Sequence, residues 1–314
     1  MGLLVLSGIS ILCSLFIGSS TLTASQVLNV LMGNGSTLEQ TLIFELRLPR
    51  ALVAFCTGAM LSIAGVLMQV LLRNPLADPY VLGVSSGASF AALISMLLGF
   101  SAMFIVGGAF SGALLSIFLV FIFANGKGGW TINRLLLAGV VLAAGWVSLI
   151  SFLLVISPPD KVQGMLFWLM GDLSYDRPLL PGLIILIIGF LLTIPLCPKL
   201  NVLIWGEKQA SSLGINTKRL RLSIFLLSSL LTAGAVSLAG GIGFVGLVVP
   251  HFVRLFVGNE HRILVPASAL AGAILLILAD IVARSAFAPV QIPVGVITAF
   301  IGVPLFLILL RRST

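Results

Sequence analysis

The chain has 314 residues, of which 59% are hydrophobic and 8% are charged. Soluble domains carry about 25% charged residues, so this composition excludes an ordinary soluble protein and indicates a membrane protein. The net charge is +8, but no basic run is interleaved with aromatic residues, which argues against a nucleic-acid partner.

Apolar segments without charge recur along the chain and predict transmembrane helices, each of which needs about 20 residues. Charge-free windows lie at 51–72, 79–126, 135–159, 178–198, 222–253 and 285–310. The second and fifth windows are longer than one span and contain breaks at Gly99–Ser101 and Gly240–Gly241. The runs 3–18 and 263–279 add two helices, and the first is interpreted as a retained helix because it lacks a basic segment before it. The predicted fold is all-α, a polytopic membrane protein of about ten transmembrane helices in a single domain over 1–314.

Basic residues orient the predicted helices. With ten crossings and a cytoplasmic N-terminus, both termini are cytoplasmic and twelve of the 17 Lys and Arg residues face the cytoplasm. These twelve are Arg73, Lys127, Arg134, Lys199, Lys208, Lys218, Arg219, Arg221, Arg254, Arg262, Arg311 and Arg312. The five that face outward are Arg47, Arg50, Lys161, Arg177 and Arg284. This distribution obeys the positive-inside rule, and the inverted topology would break it.

A proline-fixed turn follows the second predicted helix. Pro75 and Pro79 forbid a continuous helix because each lacks an amide donor and restricts the residue before it. The segment Asn74-Pro75-Leu76 is therefore either an ordinary tight turn or a constriction between two packed helices.

The largest polar segment, 198–221, is predicted to be a cytoplasmic loop. Residues Glu207 to Gly214 combine helix-forming residues with a terminal glycine, which predicts a short helix with a glycine C-cap. The loop is either simply solvated and basic or a docking site for a partner.

Arginines stand at the predicted outer ends of two helices. Arg47 and Arg50 are three residues apart and share one helix face, and Arg284 lies four residues after Asp280. They are either interfacial side chains that reach the headgroups or ligands for a carboxylate, which guanidinium binds bidentately. Asp280 and Arg284 are expected to form an ion pair at the outer interface.

The sequence lacks the common signatures of enzymes and cofactor sites. No Walker A, HExxH or GxSxG pattern occurs, and the GxGxxG match at 241–246 lies within an apolar run. The two histidines have no cluster of acids or cysteines around them. We therefore expect no metal, no cofactor and no bond chemistry by this chain. The three cysteines are expected to be packing residues.

Four ordered blocks carry a resemblance. The first block consists of three segments, RLPR (47–50), GAMLSIAGVLMQ (58–69) and RNPLADPYVLGVSSGAS (73–89). The other three blocks are GGIGFVGLVVPHFVR (240–254), ADIVAR (279–284) and PVGVITAFIGVP (293–304). In this order they resemble the permease subunits of binding-protein-dependent ABC importers for ferric siderophores, haem and cobalamin, the FecCD family.

The resemblance implies an importer permease in the bacterial inner (plasma) membrane, driven by ATP hydrolysis in separate ATP-binding cassette subunits. It implies three protein partners: those ATPases, a soluble periplasmic or lipid-anchored substrate-binding protein, and a second permease copy or paralogue. The permease itself is expected to be embedded in, and in contact with, the lipid bilayer.

The resemblance also implies residue roles. Arg47, Arg50 and Arg284 match arginines that receive glutamates of the binding protein. Asn74 and Leu76 match positions that narrow the inner mouth of the pathway. The 198–221 loop matches the helix pair that docks on the ATPase, with candidate contacts Glu207, Gln209, Ala210, Leu213 and Gly214. Lys208 and Gln209 depart from the family pattern, in which small residues are expected.

An ion- or proton-coupled secondary transporter is the alternative. It would need acids or histidines near the bilayer midplane, and the sequence offers almost none. The cargo, and whether the dimer is homo- or heteromeric, stay open at this point.

Overall fold

The computed structural model describes residues 2–18, 22–126, 129–173 and 178–312, and Lys127 and Arg177 of the predicted charge distribution lie outside them. The α-helices are α1 (Gly2–Phe16), α2 (Ala24–Leu31), α3 (Thr37–Gln40), α4 (Leu48–Leu72), α5 (Val84–Leu97), α6 (Ala102–Ala124), α7 (Ile132–Ile156), α8 (Pro159–Leu169), α9 (Leu179–Thr193), α10 (Cys197–Ile204), α11 (Glu207–Ser212), α12 (Thr217–Ala239), α13 (Val245–Val257), α14 (His261–Ser285) and α15 (Val294–Arg312). A π-helical segment, Thr41–Arg47, leads into α4, and two short 3-10 segments are Pro79–Leu82 and Ile194–Leu196. Two-residue strands, β1 (Asn125–Gly126) and β2 (Gly129–Trp130), pair antiparallel between α6 and α7. The described residues therefore form a helical fold apart from this pair of strands.

Helix α4 is the centre of the bundle. Residues 56–71 are all buried, and α14, α12 and α13 pack around them. An apolar helix without a polar face is expected in such a position, since it is surrounded by protein on every side. The absence of charge from 51 to 72 therefore reflects protein burial as much as contact with lipid.

Glycines allow the closest contacts of α4. A Cβ on Gly58 would collide with the backbone of Gly272 in α14, and one on Gly65 would collide with the backbone of Gly246 in α13. Small residues at such crossings let helix backbones approach, which is the main source of packing between helices in a membrane. These glycines thus fix how α13 and α14 sit against α4.

Within the described part of the chain, six helical segments are long and apolar enough to cross a membrane, and four shorter apolar helices accompany them. The six are Thr37–Leu72, Ala102–Ala124, Ile132–Ile156, Leu179–Ile204, Thr217–Ala239 and His261–Ser285. The four are Gly2–Phe16, Val84–Leu97, Val245–Val257 and Val294–Ile308. The predicted breaks are confirmed, because α5 ends at Leu97 before α6, and an irregular segment separates α12 from α13.

Each end of the bundle carries a cluster of charged side chains. We call the end with Arg47, Arg50 and Arg284 the arginine end, and the end with Arg73 and helix α11 the elbow end. Since α4 and α14 are antiparallel, the start of α4 meets the end of α14 at the arginine end.

Candidate functional site

A buried ion-pair cluster forms the arginine end. Arg50 Nε donates to Asp280 Oδ1 at 2.8 Å, and Arg284 Nε lies 3.3 Å from Asp280 Oδ2. Asp280 is 1% exposed and Arg284 is 4% exposed. The predicted Asp280–Arg284 pair is therefore confirmed, and Arg50 from α4 joins it.

Two of the three candidate docking arginines donate hydrogen bonds to the end of helix α1. Arg284 donates to the carbonyl and hydroxyl oxygens of Ser14, and Arg47 donates to the carbonyl oxygens of Leu15 and Phe16. The last carbonyls of a helix have no partner within it, and the last turn of α1 contains no basic residue of its own. Arginines from α14 and the start of α4 supply that cap and also meet the negative end of the helix dipole.

Arg50 is the most accessible of the three arginines. Its side chain is 13% exposed, whereas Arg47 is only 4% exposed. Its Nη1 donates to Gln291 Oε1 at 2.9 Å, just before α15. Thus the structure brings the three arginines together, but with Arg47 and Arg284 turned inward.

The predicted turn lies at the elbow end. Arg73 caps α4 in the left-handed conformation, with φ 49°, and Asn74 Oδ1 accepts the amide N–H of Leu76 at 2.9 Å. This side-chain turn satisfies an amide that the prolines leave outside any helix. Asn74 is exposed and Leu76 is half-buried.

A cavity of about 190 Å³ adjoins the turn, between the end of α4 and the end of α13, and its lining includes Gln69, Arg73 and Arg254. Gln69 spans the two helices: its Nε2 donates to the Leu247 carbonyl, and its Oε1 accepts from Arg254. The sequence analysis did not single out Gln69, although a lone amide in an otherwise apolar helix was a usable signal.

The segment 198–221 forms a helix pair, α10 and α11. Gly206 and Gly214 have φ 124° and 77° and bound α11, while the Gly214 and Ile215 amides close its last turn. The predicted short helix with a glycine C-cap is confirmed.

The side chains of the helix pair point in two directions. Ala210 is fully buried, whereas Gln209 is exposed. Trp205 and Leu213 are 79% and 69% exposed and flank α11 on either side. The sequence analysis did not identify Trp205 as a candidate docking residue. An aromatic residue at the end of an apolar run is typical of the membrane interface, so its position gave no reason to expect a protein contact.

Two sets of contacts hold the helix pair to the bundle. Glu207 Oε1 lies 3.3 Å from Arg73 Nη2 and accepts from Arg221 Nη1 at 3.1 Å. Asn201 Nδ2 donates to Glu260, and this bond holds the pKa of the Glu260 carboxyl below its ordinary value. Glu260 in turn caps the start of α14.

Residues 4–312 match the family described as the FecCD transport family. The chain belongs to the FecCD transport family. Its members are permease components of ABC importers that reside in the inner membrane, and this chain is accordingly a multi-pass transport protein of that membrane.

Relatives of this FecCD protein carry different cargoes. The chain is 36% identical to the molybdate import system permease of Haemophilus influenzae, over 99% of the chain and 94% of the relative. It is 41% identical to the Fe(3+) dicitrate transport system permease of Escherichia coli, over 86% of the chain and 85% of the relative.

A solved structure matches this FecCD protein along its length. It is described as an inward-facing conformation of a metal-chelate type ABC transporter, with a TM-score of 0.89, 35% identity, and coverage of 99% of this chain and 98% of that one.

Proposed function

We propose that the chain is the membrane permease subunit of an ABC importer that moves a metal chelate into the cytoplasm, driven by ATP hydrolysis in a separate subunit. The observation that carries the proposal is helix α11, an exposed short helix that is flanked by exposed Trp205 and Leu213 at one end of the bundle. A helix outside the apolar spans with large exposed side chains on both sides is suited to docking on a soluble partner.

The proposed topology has ten crossings, made by the six long and the four shorter apolar helices. The elbow end then faces the cytoplasm and both termini lie there, as the excess of basic residues favours. Cysteines introduced at Lys208 and at Phe287, which is 63% exposed at the arginine end, should react with a membrane-impermeant maleimide from opposite sides. Labelling of both from the same side would contradict this topology.

The ATPase is proposed to dock on α11 and its flanks. Trp205 and Leu213 are the apolar anchors, and Gln209 and the backbone around Gly214 supply polar contacts at the rim. Ala210 is buried, so its part is to seat α11 on the bundle rather than to touch the ATPase.

A soluble binding protein is proposed to dock at the arginine end. Arg50 is the first contact for an acidic side chain, because it is the most exposed of the three arginines. Arg47 and Arg284 reach such a partner only when the end of α1 gives up their guanidinium groups. The carboxylate–guanidinium contacts would set docking register and association rate more than affinity.

The turn at Asn74 and Leu76 is proposed as the inner constriction of the pathway, and a second permease copy or paralogue completes that pathway. Helix α7 supports the second copy, since only 17% of its most apolar window is buried within this chain. Its exposed face carries Ala144, Gly145, Ser148 and Ser151, and small residues favour a protein neighbour over lipid.

The cargo is proposed to be a metal chelate, with a ferric siderophore as first choice and haem or cobalamin as further candidates. The molybdate permease among the relatives adds an oxyanion to the set that a transport assay should include.

Affinity purification of the tagged chain from its native membrane in mild detergent, followed by mass spectrometry, tests the proposal. We expect a P-loop ATPase and a soluble binding protein to co-elute. A second permease, or a dimer of this chain by mass, would identify the partner across α7. Reproducible recovery of the intact chain alone would contradict the proposal and favour the ion-coupled alternative.

A further inference from the structure

One acidic side chain joins three elements at the elbow end. Oε1 of Glu207, at the start of α11, accepts a hydrogen bond from Arg221 in the first turns of α12 and pairs with Arg73 at the end of α4. Both arginines meet the same oxygen atom. Arginine suits this bridge because its charge is permanent and its donors are arranged in a rigid fork.

The local charge distribution makes this carboxylate distinctive. Glu207 is the single acid between residues 198 and 221, a segment with five cations: Lys199, Lys208, Lys218, Arg219 and Arg221. The other anchor of the helix pair, between Asn201 and Glu260, holds α10 rather than α11. Glu207 is therefore the charged link between α11 and the two long helices beside it.

This link ends at the turn at Asn74 and Leu76, the proposed inner constriction of the pathway. Arg73 directly precedes Asn74, whose side chain fixes the amide of Leu76. Arg73 is held in the left-handed conformation, and a non-glycine residue stays there only when its surroundings impose it. If α11 moves, Glu207 moves with it, and its ion pair then displaces Arg73, the residue that begins the turn.

The exposure of the pair indicates a role other than folding. The Glu207 and Arg73 side chains are 39% and 41% exposed, and exposed ion pairs contribute little to folding stability. Removing the Glu207 charge should therefore leave the bundle folded while it loosens the connection from α11 to α4.

We propose that Glu207 is the positioning residue that transmits motion of the ATPase-docked helix α11, through Arg73, to the turn at Asn74 and Leu76. This inference rests on the proposed importer function and adds the contacts through which movement of the ATPase would reach the inner constriction.

The test uses the complex purified through a tag on its ATPase. Cys13, Cys56 and Cys197 are replaced by alanine, and Leu76→Cys reports on the turn through its alkylation rate with fluorescein maleimide. The rate is measured without nucleotide and after trapping with ATP and vanadate. We expect nucleotide to change the rate by about fivefold or more, the lower range of typical coupling between sites.

Four variants carry the proposal. Glu207→Gln and Arg73→Gln should each abolish most of the nucleotide response, and the double variant should lose no more than either single one, because both remove the same link. Glu207→Asp, which keeps the charge, should retain a response. The matched control is Arg134→Gln, which neutralises an exposed arginine at the start of α7 that belongs neither to the helix pair nor to the turn, and its response should equal that of the parent.

The possible outcomes distinguish a failure of the Glu207 inference from a failure of the proposed importer function. A parental response in Glu207→Gln overturns the inference and leaves the importer function standing. A response lost in Glu207→Gln but kept in Arg73→Gln also overturns it, since the route would then bypass α4. If no ATPase co-purifies with the parent, the proposed function fails before any label is added.

Discussion

At the level of single side chains, Asp280 decides how the arginine end is built. It is 1% exposed, and both of its oxygens face guanidinium groups, Arg50 on one side and Arg284 on the other. A buried charge is tolerated only when it is paired and hydrogen-bonded. Asp280 thereby allows Arg284 to lie within the protein near the end of α1.

Replacing Asp280 by asparagine should therefore destabilise the protein strongly. Removal of one partner from a buried ion pair leaves uncompensated charge and costs about 3–5 kcal/mol. The measurement is unfolding of the purified chain in mixed micelles by titration with SDS. Asp160→Asn is the matched control, because Asp160 is exposed at the start of α8 and its loss should change stability by less than about 0.5 kcal/mol. Equal effects of the two variants would contradict the buried pair.

Trp205 is the second side chain with a sharp prediction. If it is an anchor for the ATPase, Trp205→Ala should weaken that subunit's affinity by at least about 2 kcal/mol, or roughly thirtyfold, as truncation of a central aromatic residue typically does. The affinity is measured by titrating purified ATPase onto the permease in nanodiscs. Phe256→Ala is the control, since Phe256 is 75% exposed on α13 outside the proposed interface. An unchanged affinity in Trp205→Ala would show that the indole serves the membrane interface instead.

Among the helices, the glycine crossings of α4 set the packing. Gly65→Ala should destabilise the chain by about 1–3 kcal/mol or more, because the added methyl group has only the Gly246 backbone in front of it and the helices must separate. Gly107→Ala on α6 is the matched control, since nothing lies within 4 Å of its Cβ position. The same SDS titration measures both. Equal stability of the two variants would contradict the close α4–α13 crossing.

Much of the helical architecture could be predicted from the sequence. The proline turn, the helix break at Gly240–Gly241 and the glycine that ends α11 all depend on local backbone rules, and the structure has each of them. The hairpin between α6 and α7 was not predicted, since two-residue strands leave no periodic pattern.

The burial of Arg47 and Arg284 could not be predicted. Spacing along a helix tells which residues share a face, but it does not tell what packs against that face. Here the neighbour is the end of α1, which lies far away in the sequence and offers backbone carbonyls. Backbone acceptors carry no residue-type signal, so no sequence pattern indicates this cap.

For the molecule as a whole, two ion-pair clusters lie at opposite ends of α4, one around Asp280 and the other around Glu207. Each of the six long spans found among the described residues has an apolar 18-residue window with at most two Asp, Glu, Lys or Arg residues, which disfavours a transporter driven by proton or ion binding at the midplane. Rigid-body movement of packed helices would then have to carry the transport cycle, and such movement needs different contacts in each state. The Glu207 link and the arginine cluster are the candidates for those contacts.

The most direct test of the importer account is ATP-dependent uptake by the purified complex in proteoliposomes, with its binding protein present. Ferric siderophore, haem, cobalamin and molybdate are offered separately, and the accumulated metal is measured by mass spectrometry. We predict that one of these cargoes accumulates only with ATP and that ionophores leave the uptake unchanged. Uptake that proceeds without ATP and collapses when the ion gradient is removed would contradict the account.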